Sequence, residues 1–289
     1  MKTTIKMLFC LLLTAGGASA QDGGRVQLRL AHTNDTHSCV MPVSANFSDT
    51  AQADKGGFVR RAALVREWRR EDPDLLLFDS GDFSQGSAYY NLYKGEVEVS
   101  LMNEMRYDAA TIGNHEFDFG LDNMARIFRM ARFPIVCSNY NVTGTVLDGL
   151  VRPYVVLERK GVRIGVLGLG TQLAGMVAAD NYKGVTYEDP VEAANRTAAL
   201  LRNEEHCDLV VCLSHLGWDI DGTDDTEVVP QLHGVDVVLG GHSHTYFERP
   251  EVLRDADGRE VYCNQMGKNG RYVGLLVLDM APLGEGYSK

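Results

Sequence analysis

Residues that can bind metal ions recur at five places along the chain. They are Asp35 and His37, Asp82, Asn114 and His115, His215, and His242 and His244. Carboxylate oxygens and imidazole nitrogens are ligands of divalent transition metals. Two such ions held close together stabilise the attacking and leaving oxygens of a phosphoryl transfer. These residue types therefore indicate a two-metal site that could hydrolyse phosphate esters.

The spacing of these residues supports the interpretation. Residues 35–37 and 242–244 each place two ligands at i and i+2, which point to the same side of an extended chain. Gly81 precedes Asp82 and Gly113 precedes Asn114, and these glycines let the backbone approach the site closely. Asp82 is expected to bridge two cations, because without it the set divides into two incomplete shells. The shells are Asp35, His37 and His244 on one side and Asn114, His215 and His242 on the other.

The elements that carry these residues are short apolar runs typical of buried strands. The runs are 26–31, 75–78, 109–112, 135–137, 162–169, 209–213, 235–239 and 275–278. Helical patterns occur at 58–70, 121–132 and 190–205. This alternation predicts a layered α/β fold. Each ligand group follows a strand, and open α/β sheets form their binding crevice at the carboxyl ends of the strands.

Five motif blocks connect the chain to a known family. They are HTNDTH at 32–37, DSGD at 79–82, GNHEFD at 113–118, SHLG at 214–217 and GGHSHT at 240–245. In this order they resemble the calcineurin-like metallophosphoesterases, in their 5′-nucleotidase branch. The resemblance implies a four-layer α/β/β/α sandwich, a dinuclear metal centre with the ligands named above, and hydrolysis of phosphate esters by water without a covalent intermediate.

The resemblance also assigns roles around the GNHEFD block. His115 would not bind metal; it would stabilise charge on the phosphoryl group or protonate the leaving oxygen, with Asp118 orienting its imidazole. Asn114 and His115 would contact the substrate, and Glu116 would be structural. Trp218 and Tyr246 are further candidates to line a substrate pocket, with plain packing as the alternative. The ligand set suits zinc, manganese, iron or cobalt, and the sequence favours none of them.

The net charge of the chain, −11, argues against nucleic-acid polymers as partners. An acidic surface also repels phosphate-bearing substrates unless bound cations reverse the local field. A small phosphate ester or nucleotide is therefore the expected substrate, at a site that holds metal.

The N-terminal residues 1–20 have the features of a signal peptide, with Lys2 and Lys6, an apolar run and Ala18-Ser19-Ala20 before the cleavage point. The apolar run is too short for a membrane anchor, so export to the periplasm or the extracellular space is expected. The metallophosphoesterase domain is predicted over 25–282, with a tail at 283–289. The cysteines beyond the leader are odd in number and scattered, which favours buried thiols over a disulfide framework.

The predicted function is hydrolysis of phosphate monoesters, with nucleotides as the expected substrates. Alternatives within the enzymes are a cyclic-nucleotide phosphodiesterase, a UDP-sugar hydrolase or a sulfur-transferring relative. Secreted 5′-nucleotidases of this branch carry a C-terminal domain that recognises the nucleotide, so the chain could also be the catalytic half of a split enzyme with a separately encoded partner. A metal-binding interaction module without catalysis is the non-enzyme alternative.

Overall fold

The computed structural model describes residues 4–5, 26–50 and 53–280. The α-helices are α1 (Phe58–Glu71), α2 (Ala88–Tyr93), α3 (Glu96–Met105), α4 (Gly120–Phe128), α5 (Pro190–Asn203) and α6 (Asp225–Val228). Short 3₁₀ helices cover His115–Phe117, Ala179–Tyr182 and Val229–Gln231. No helix among the described residues is both long enough and apolar enough to cross a membrane.

The strands lie between these helices along the chain. They are β1 (Thr4–Ile5), β2 (Val26–Thr33), β3 (Leu76–Asp79), β4 (Ala109–Ala110), β5 (Ile135–Val136), β6 (Tyr140–Asn141), β7 (Val151–Arg152), β8 (Tyr154–Arg159), β9 (Val162–Gly170), β10 (Thr186–Tyr187), β11 (Leu209–His215), β12 (Val237–Leu239), β13 (Glu251–Arg254), β14 (Glu260–Asn264) and β15 (Gly274–Met280).

Two mixed sheets form the centre of the molecule. The first has the order β1-β15-β2-β3-β4-β5-β7, and the second has the order β13-β14-β12-β11-β9-β8. The strands β2, β3, β4 and β5 run parallel in the first sheet. The strands β9, β11, β12 and β14 run parallel in the second. Parallel strands end at the same edge, so each sheet has one edge from which several loops emerge together.

Three apolar clusters divide the fold into layers. Leu30 and Phe78 of the first sheet pack against Val166 and Val211 of the second in the cluster between the sheets. A second cluster joins the outer face of the first sheet to α1, α3 and α4, and a third joins the outer face of the second sheet to α5. The predicted four-layer α/β/β/α sandwich is therefore confirmed.

The two sheets are in close backbone contact at Gly168 on β9. A Cβ atom at this position would lie 2.2 Å from the Val136 carbonyl oxygen and 2.4 Å from Thr111 Oγ1. The Gly168 carbonyl in turn accepts a hydrogen bond from the Ser138 amide at 2.7 Å. Only a residue without a side chain allows this contact, which holds the sheets together.

All eight predicted strands are present, and the three predicted helices form with shifted ends. The helix predicted over 121–132 ends at Phe128, because the Asn103 side chain donates to the Met130 carbonyl and accepts from the Arg132 amide. The sequence patterns missed α3, whose alternating Val97 and Val99 favour a strand. They also missed β13, because its exposed residues form no apolar run.

Parts of the predicted domain plan lie outside the described residues. The predicted leader, residues 1–20, is described only at Thr4–Ile5, which pairs with Leu278 and Asp279 of β15. The predicted tail, 283–289, is not described at all. Of the cysteines beyond the leader, Cys39 is half-buried and the others, Cys137, Cys207, Cys212 and Cys263, are buried; all five are free thiols.

Candidate metal centre

The loops that follow β2 and β3 run side by side and are joined by backbone hydrogen bonds. The Asp35 amide donates to the Gly81 carbonyl at 2.9 Å, and the His37 amide donates to the Asp82 carbonyl at 3.0 Å. Asp35, His37 and Asp82 all have left-handed backbone conformations, with φ of 48°, 44° and 54°. Such conformations cost roughly 1–3 kcal/mol each and persist where surrounding contacts hold them. The paired loops therefore fix three of the predicted ligands.

One group of potential ligands consists of Asp35, His37 and His244. The Nε2 atoms of His37 and His244 lie 3.0 Å apart. Asp35 Oδ1 is 3.7 Å from His37 Nε2 and 3.4 Å from His244 Nε2. Burial lowers the pKa of His37, which favours the neutral imidazole that binds metals. The structure thus brings together the side chains predicted for the first shell.

A second group consists of Asp82, His215 and His242. His215 Nδ1 is 2.6 Å from the Ser80 carbonyl oxygen, so Nδ1 carries the proton and Nε2 is turned toward Asp82 Oδ2, 3.2 Å away. Burial, together with the charge of His215, lowers the pKa of His242 to about 4. These are the side chains predicted for the second shell, and Asn114 lies in the adjoining loop.

His115 lies beside both groups and is held from two directions. Its amide donates to Asp82 Oδ1 at 2.9 Å, and its Nδ1 is 3.0 Å from Asp118 Oδ2. The hydrogen bond to Asp118 raises the pKa of His115. By distance alone His115 also forms a third potential ligand group with His37 and Asp82. Its contact with Asp118 leaves Nε2 as the nitrogen available to a ligand or substrate.

The donor set suits divalent cations. Asn114 Oδ1 and His215 Nε2 are buried without a hydrogen-bond partner, a costly state that bound cations would relieve. Burial lowers the pKa of His215, but the Asp82 carboxylate outweighs burial and raises it to about 10. The Asp82 carboxylate therefore favours positive charge at His215, which a bound cation would supply in place of the proton. Carboxylate, amide and imidazole donors around one buried carboxylate fit divalent metal ions.

Glu116 supports the loop around Asp82 through hydrogen bonds to backbone amides. Its carboxylate accepts hydrogen bonds from the amides of Asp82, Ser84 and Gly113, at 3.0, 3.1 and 2.7 Å. Burial raises the pKa of Glu116 to about 7. A structural role for this residue was expected, but the three amides that it joins are apparent only from the structure.

Asp79 is a buried carboxyl group that the sequence patterns did not single out. Its Oδ2 is 2.6 Å from Thr33 Oγ1, which is itself 2.7 Å from the Tyr107 hydroxyl. Its Oδ1 accepts from the Gly81 amide at 3.0 Å. Burial raises the pKa of Asp79 to about 8. Asn34 and Gln265 are two further buried residues in contact with the ligand loops that sequence reasoning missed.

The two aromatic candidates for substrate binding have different surroundings. Trp218 is half-buried, and its ring packs edge-on against Phe247 with 4.9 Å between centroids. Tyr246 stacks on Tyr272 at 4.2 Å and remains 47% exposed. Trp218 is therefore largely occupied by packing, whereas Tyr246 has a free surface that could contact a ligand.

Comparisons with known proteins agree with this geometry. A family model described as calcineurin-like phosphoesterase matches residues 28–246. Human 5′-nucleotidase is 30% identical over 288 residues, which cover 93% of this chain and 49% of that protein. The snake venom 5′-nucleotidase of Crotalus adamanteus is 31% identical over 290 residues, covering 93% of this chain and 47% of that protein. The chain spans about half the length of these curated relatives.

Solved structures show the same relationship. The 5′-nucleotidase precursor from Thermus thermophilus matches with a TM-score of 0.80 at 34% identity, covering 87% of this chain and 51% of that one. The calcineurin-like phosphoesterase YfkN from Bacillus subtilis matches with a TM-score of 0.74 at 26% identity, covering 90% of this chain and 87% of that one. The family model covers well over half of the chain, which therefore belongs to the calcineurin-like phosphoesterases. The resemblance seen in the five motif blocks is confirmed.

The raised pKa of Asp79 predicts how the free energy of unfolding depends on pH. The folded carboxyl group keeps its proton up to about pH 8, whereas the unfolded one ionises near its ordinary pKa of 3.8. The folded state thus binds more protons between these values, and the free energy of unfolding falls as pH rises. We expect Asp79→Asn, whose amide mimics the protonated acid, to remove this part of the slope.

The measurement is urea unfolding of chelator-treated protein from pH 5 to pH 8. The wild type should lose stability relative to Asp79→Asn across this range. Asp180→Asn, at an exposed surface carboxylate, serves as the control and should follow the wild type. Parallel curves for the wild type and Asp79→Asn would contradict the assignment of a protonated Asp79.

Proposed function

We propose that this chain is a metal-dependent hydrolase of phosphate monoesters and that nucleotides are among its substrates. The observation that carries the proposal is the adjacency of two ligand groups, one with Asp35 and His244 and one with Asp82 and His215. A third group, His37, Asp82 and His115, shares one member with each of them. The names of the relatives support the same reaction, since several are 5′-nucleotidases. Hydrolysis at a dinuclear centre is the function that best fits this arrangement.

In this proposal Asp35, His37 and His244 hold one divalent cation, and Asn114, His215 and His242 hold the other. Asp82 binds both. Divalent cations at such a site lower the pKa of water and stabilise negative charge on phosphoryl oxygens. Zinc, manganese, iron and cobalt all remain candidates, because the donor set contains oxygen and imidazole nitrogen and no thiolate.

The remaining roles belong to the GNHEFD block. Asn114 and His115 contact the phosphoryl group of the substrate. Asp118 holds Nδ1 of His115, so that Nε2 can donate a proton or hydrogen bond to the phosphoryl group or the leaving oxygen. The raised pKa of His115 keeps a larger fraction of the imidazole protonated near neutral pH, as this role requires.

The length of the relatives bears on substrate recognition. They are about twice as long as the stretch that they share with this chain. This supports a form of the proposal in which a separate or continuing polypeptide contributes to nucleotide binding. Tyr246, which is 47% exposed, is one aromatic side chain among the described residues that could contribute to this binding.

His115→Ala tests the proposed reaction. Loss of a proton donor costs roughly 10²–10⁴-fold in rate, and we expect kcat for phosphate esters to fall by that order while metal remains bound. Turnover of AMP, UMP, cyclic nucleotides, UDP-glucose and p-nitrophenyl phosphate is measured with added Mn²⁺, Zn²⁺ or Co²⁺. The control is His233→Ala, at an exposed histidine that pairs with Asp257.

The substrate panel separates the alternatives. Turnover of p-nitrophenyl phosphate without AMP would retain the hydrolase and show that nucleotide recognition needs further polypeptide. Turnover confined to cyclic nucleotides or UDP-glucose would contradict the proposed monoesterase activity and indicate a phosphodiesterase or a UDP-sugar hydrolase. Metal binding without turnover of any substrate would contradict the proposed enzyme and favour an interaction module.

Asp118→Asn tests the role of the carboxylate that contacts His115. Removing the negative acceptor should lower the pKa of His115, because the hydrogen bond to Asp118 is the largest cause of its upward shift. If His115 acts in its protonated form, the alkaline limb of the kcat profile should move to lower pH. The fall in rate along this limb should be larger for AMP than for p-nitrophenyl phosphate, whose leaving group needs less protonation. Unchanged profiles would show that Asp118 does not tune His115.

Export is part of the same proposal. It rests on Lys2, Lys6, the apolar run and Ala18-Ser19-Ala20. The expected mature N-terminus is Gln21, which mass spectrometry of the extracytoplasmic fraction would reveal. Ala20→Phe should block cleavage, because a large side chain does not fit where small residues are required. Recovery of uncleaved wild-type protein from the cytoplasm would contradict export.

A further inference from the structure

The side chain of Gln265 lies inside the loop that carries His242 and His244. Its Nε2 donates to the Gly241 carbonyl at 2.9 Å. Its Oε1 accepts from the Ser243 hydroxyl at 3.1 Å and from the Thr245 amide at 2.5 Å. Gln265 is 1% exposed, so these bonds form without competition from bulk water. One buried amide therefore binds every second residue of the loop.

The two residues between these contacts are the histidines. His242 and His244 have φ values of 72° and 59°, which are left-handed conformations that cost a histidine roughly 1–3 kcal/mol each. The His242 amide is also held by Asp35, because it donates to Asp35 Oδ2 at 3.0 Å. The hydrogen bonds from Gln265 hold positions 241, 243 and 245, and the imidazoles at 242 and 244 are thereby directed toward Asp35 and Asp82.

The residues after Gln265 reach the other side of the site. The Met266 amide donates to Asn34 Oδ1 at 2.8 Å, and Asn34 Nδ2 donates to the Gly267 carbonyl at 2.8 Å. Asn34 Nδ2 also donates to Asp35 Oδ2 at 2.7 Å. The segment 265–267 thus contacts the histidine loop through the Gln265 side chain. Its backbone also binds the Asn34 side chain, which in turn donates to Asp35. It connects two predicted ligands of the same cation that are distant in sequence.

We propose that Gln265 is a positioning residue for the metal centre and that its amide sets the spacing of His242 and His244. The inference rests on the proposed metal site. Gln265 lies outside residues 28–246, the part of the chain matched by the family model. Partners of metal ligands typically affect metal affinity or activity by about 10–100-fold when they are removed.

Gln265→Met tests this role, because it retains the length of the side chain and removes all three hydrogen bonds. The dissociation constant for Mn²⁺ is measured by calorimetry on chelator-treated protein. We expect binding to weaken by roughly 10–100-fold. Hydrolysis should fall at limiting Mn²⁺ and recover in large part at saturating Mn²⁺, because the histidines remain present.

Asn103→Leu is the matched control. Asn103 is a half-buried amide that donates to the Met130 carbonyl at 2.9 Å and accepts from the Arg132 amide at 2.7 Å, between α3 and the end of α4. This variant should lower Tm without changing Mn²⁺ affinity. Ser243→Ala removes one of the three contacts of Gln265, together with the bonds of the Ser243 hydroxyl to the Trp218 amide and Thr245 Oγ1. It should weaken Mn²⁺ binding less than Gln265→Met. If Gln265→Met does not fold, the Mn²⁺ affinity of Ser243→Ala tests the positioning role of Gln265 instead.

The outcomes separate this inference from the proposed enzyme. Weaker Mn²⁺ binding in Gln265→Met, with Asn103→Leu unchanged, supports the positioning role even if no phosphate ester is hydrolysed by the wild type. Unchanged Mn²⁺ affinity in Gln265→Met, with a lower Tm, overturns it and leaves Gln265 as a fold-stabilising residue. With Gln265→Met unfolded, unchanged affinity in Ser243→Ala overturns it as well.

Discussion

The burial of several carboxyl groups at one edge of the two sheets is the constraint on which the site depends. Asp35, Asp79, Asp82 and Glu116 are each at most 2% exposed and lie on neighbouring loops. Removing ionised carboxylates from water is costly unless positive charge or hydrogen-bond donors replace the solvent. The partners of these carboxyl groups differ, and so do the directions in which their pKa values shift. These differences distinguish the carboxyl groups that support the loops from those suited to binding cations.

Asp79 and Glu116 are the supporting groups. Burial raises their pKa values to about 8 and about 7, and both carboxyl groups are hydrogen-bonded to backbone amides of the loop around Asp82. Asp82 has the opposite response: burial would raise its pKa, but the charge of His215 outweighs burial and lowers it. An ionised carboxylate with imidazoles on both sides has the electrostatics of a site for divalent cations, and an acidic protein needs such cations to attract a phosphate ester.

The backbone at this edge is strained at the predicted metal ligands. Asp35, His37, Asp82, His242 and His244 all have left-handed conformations. Hydrogen bonds between the loops, and from the buried side chains Glu116 and Gln265, hold them in place. The rigidity of the site thus comes from its supporting contacts, before any ligand is bound.

The sequence by itself indicated eight of the strands, the layered α/β class and the residues available as ligands, but it did not indicate strands such as β8, β13 and β14. Apolar runs reveal which segments are buried, and each metal-capable residue could be placed just after such a run. The same patterns missed α3, because Val97 and Val99 alternate in a way that does not indicate a helix, while packing of Val99 and Met102 against the first sheet stabilises one. Only the tertiary structure decided which loops touch. The partners of Gln265 lie 20–24 residues away and those of Asn34 up to 233 residues away, so no local periodicity encodes them. Their contacts exist because two sheets pack face to face and bring the carboxyl ends of their parallel strands to one edge.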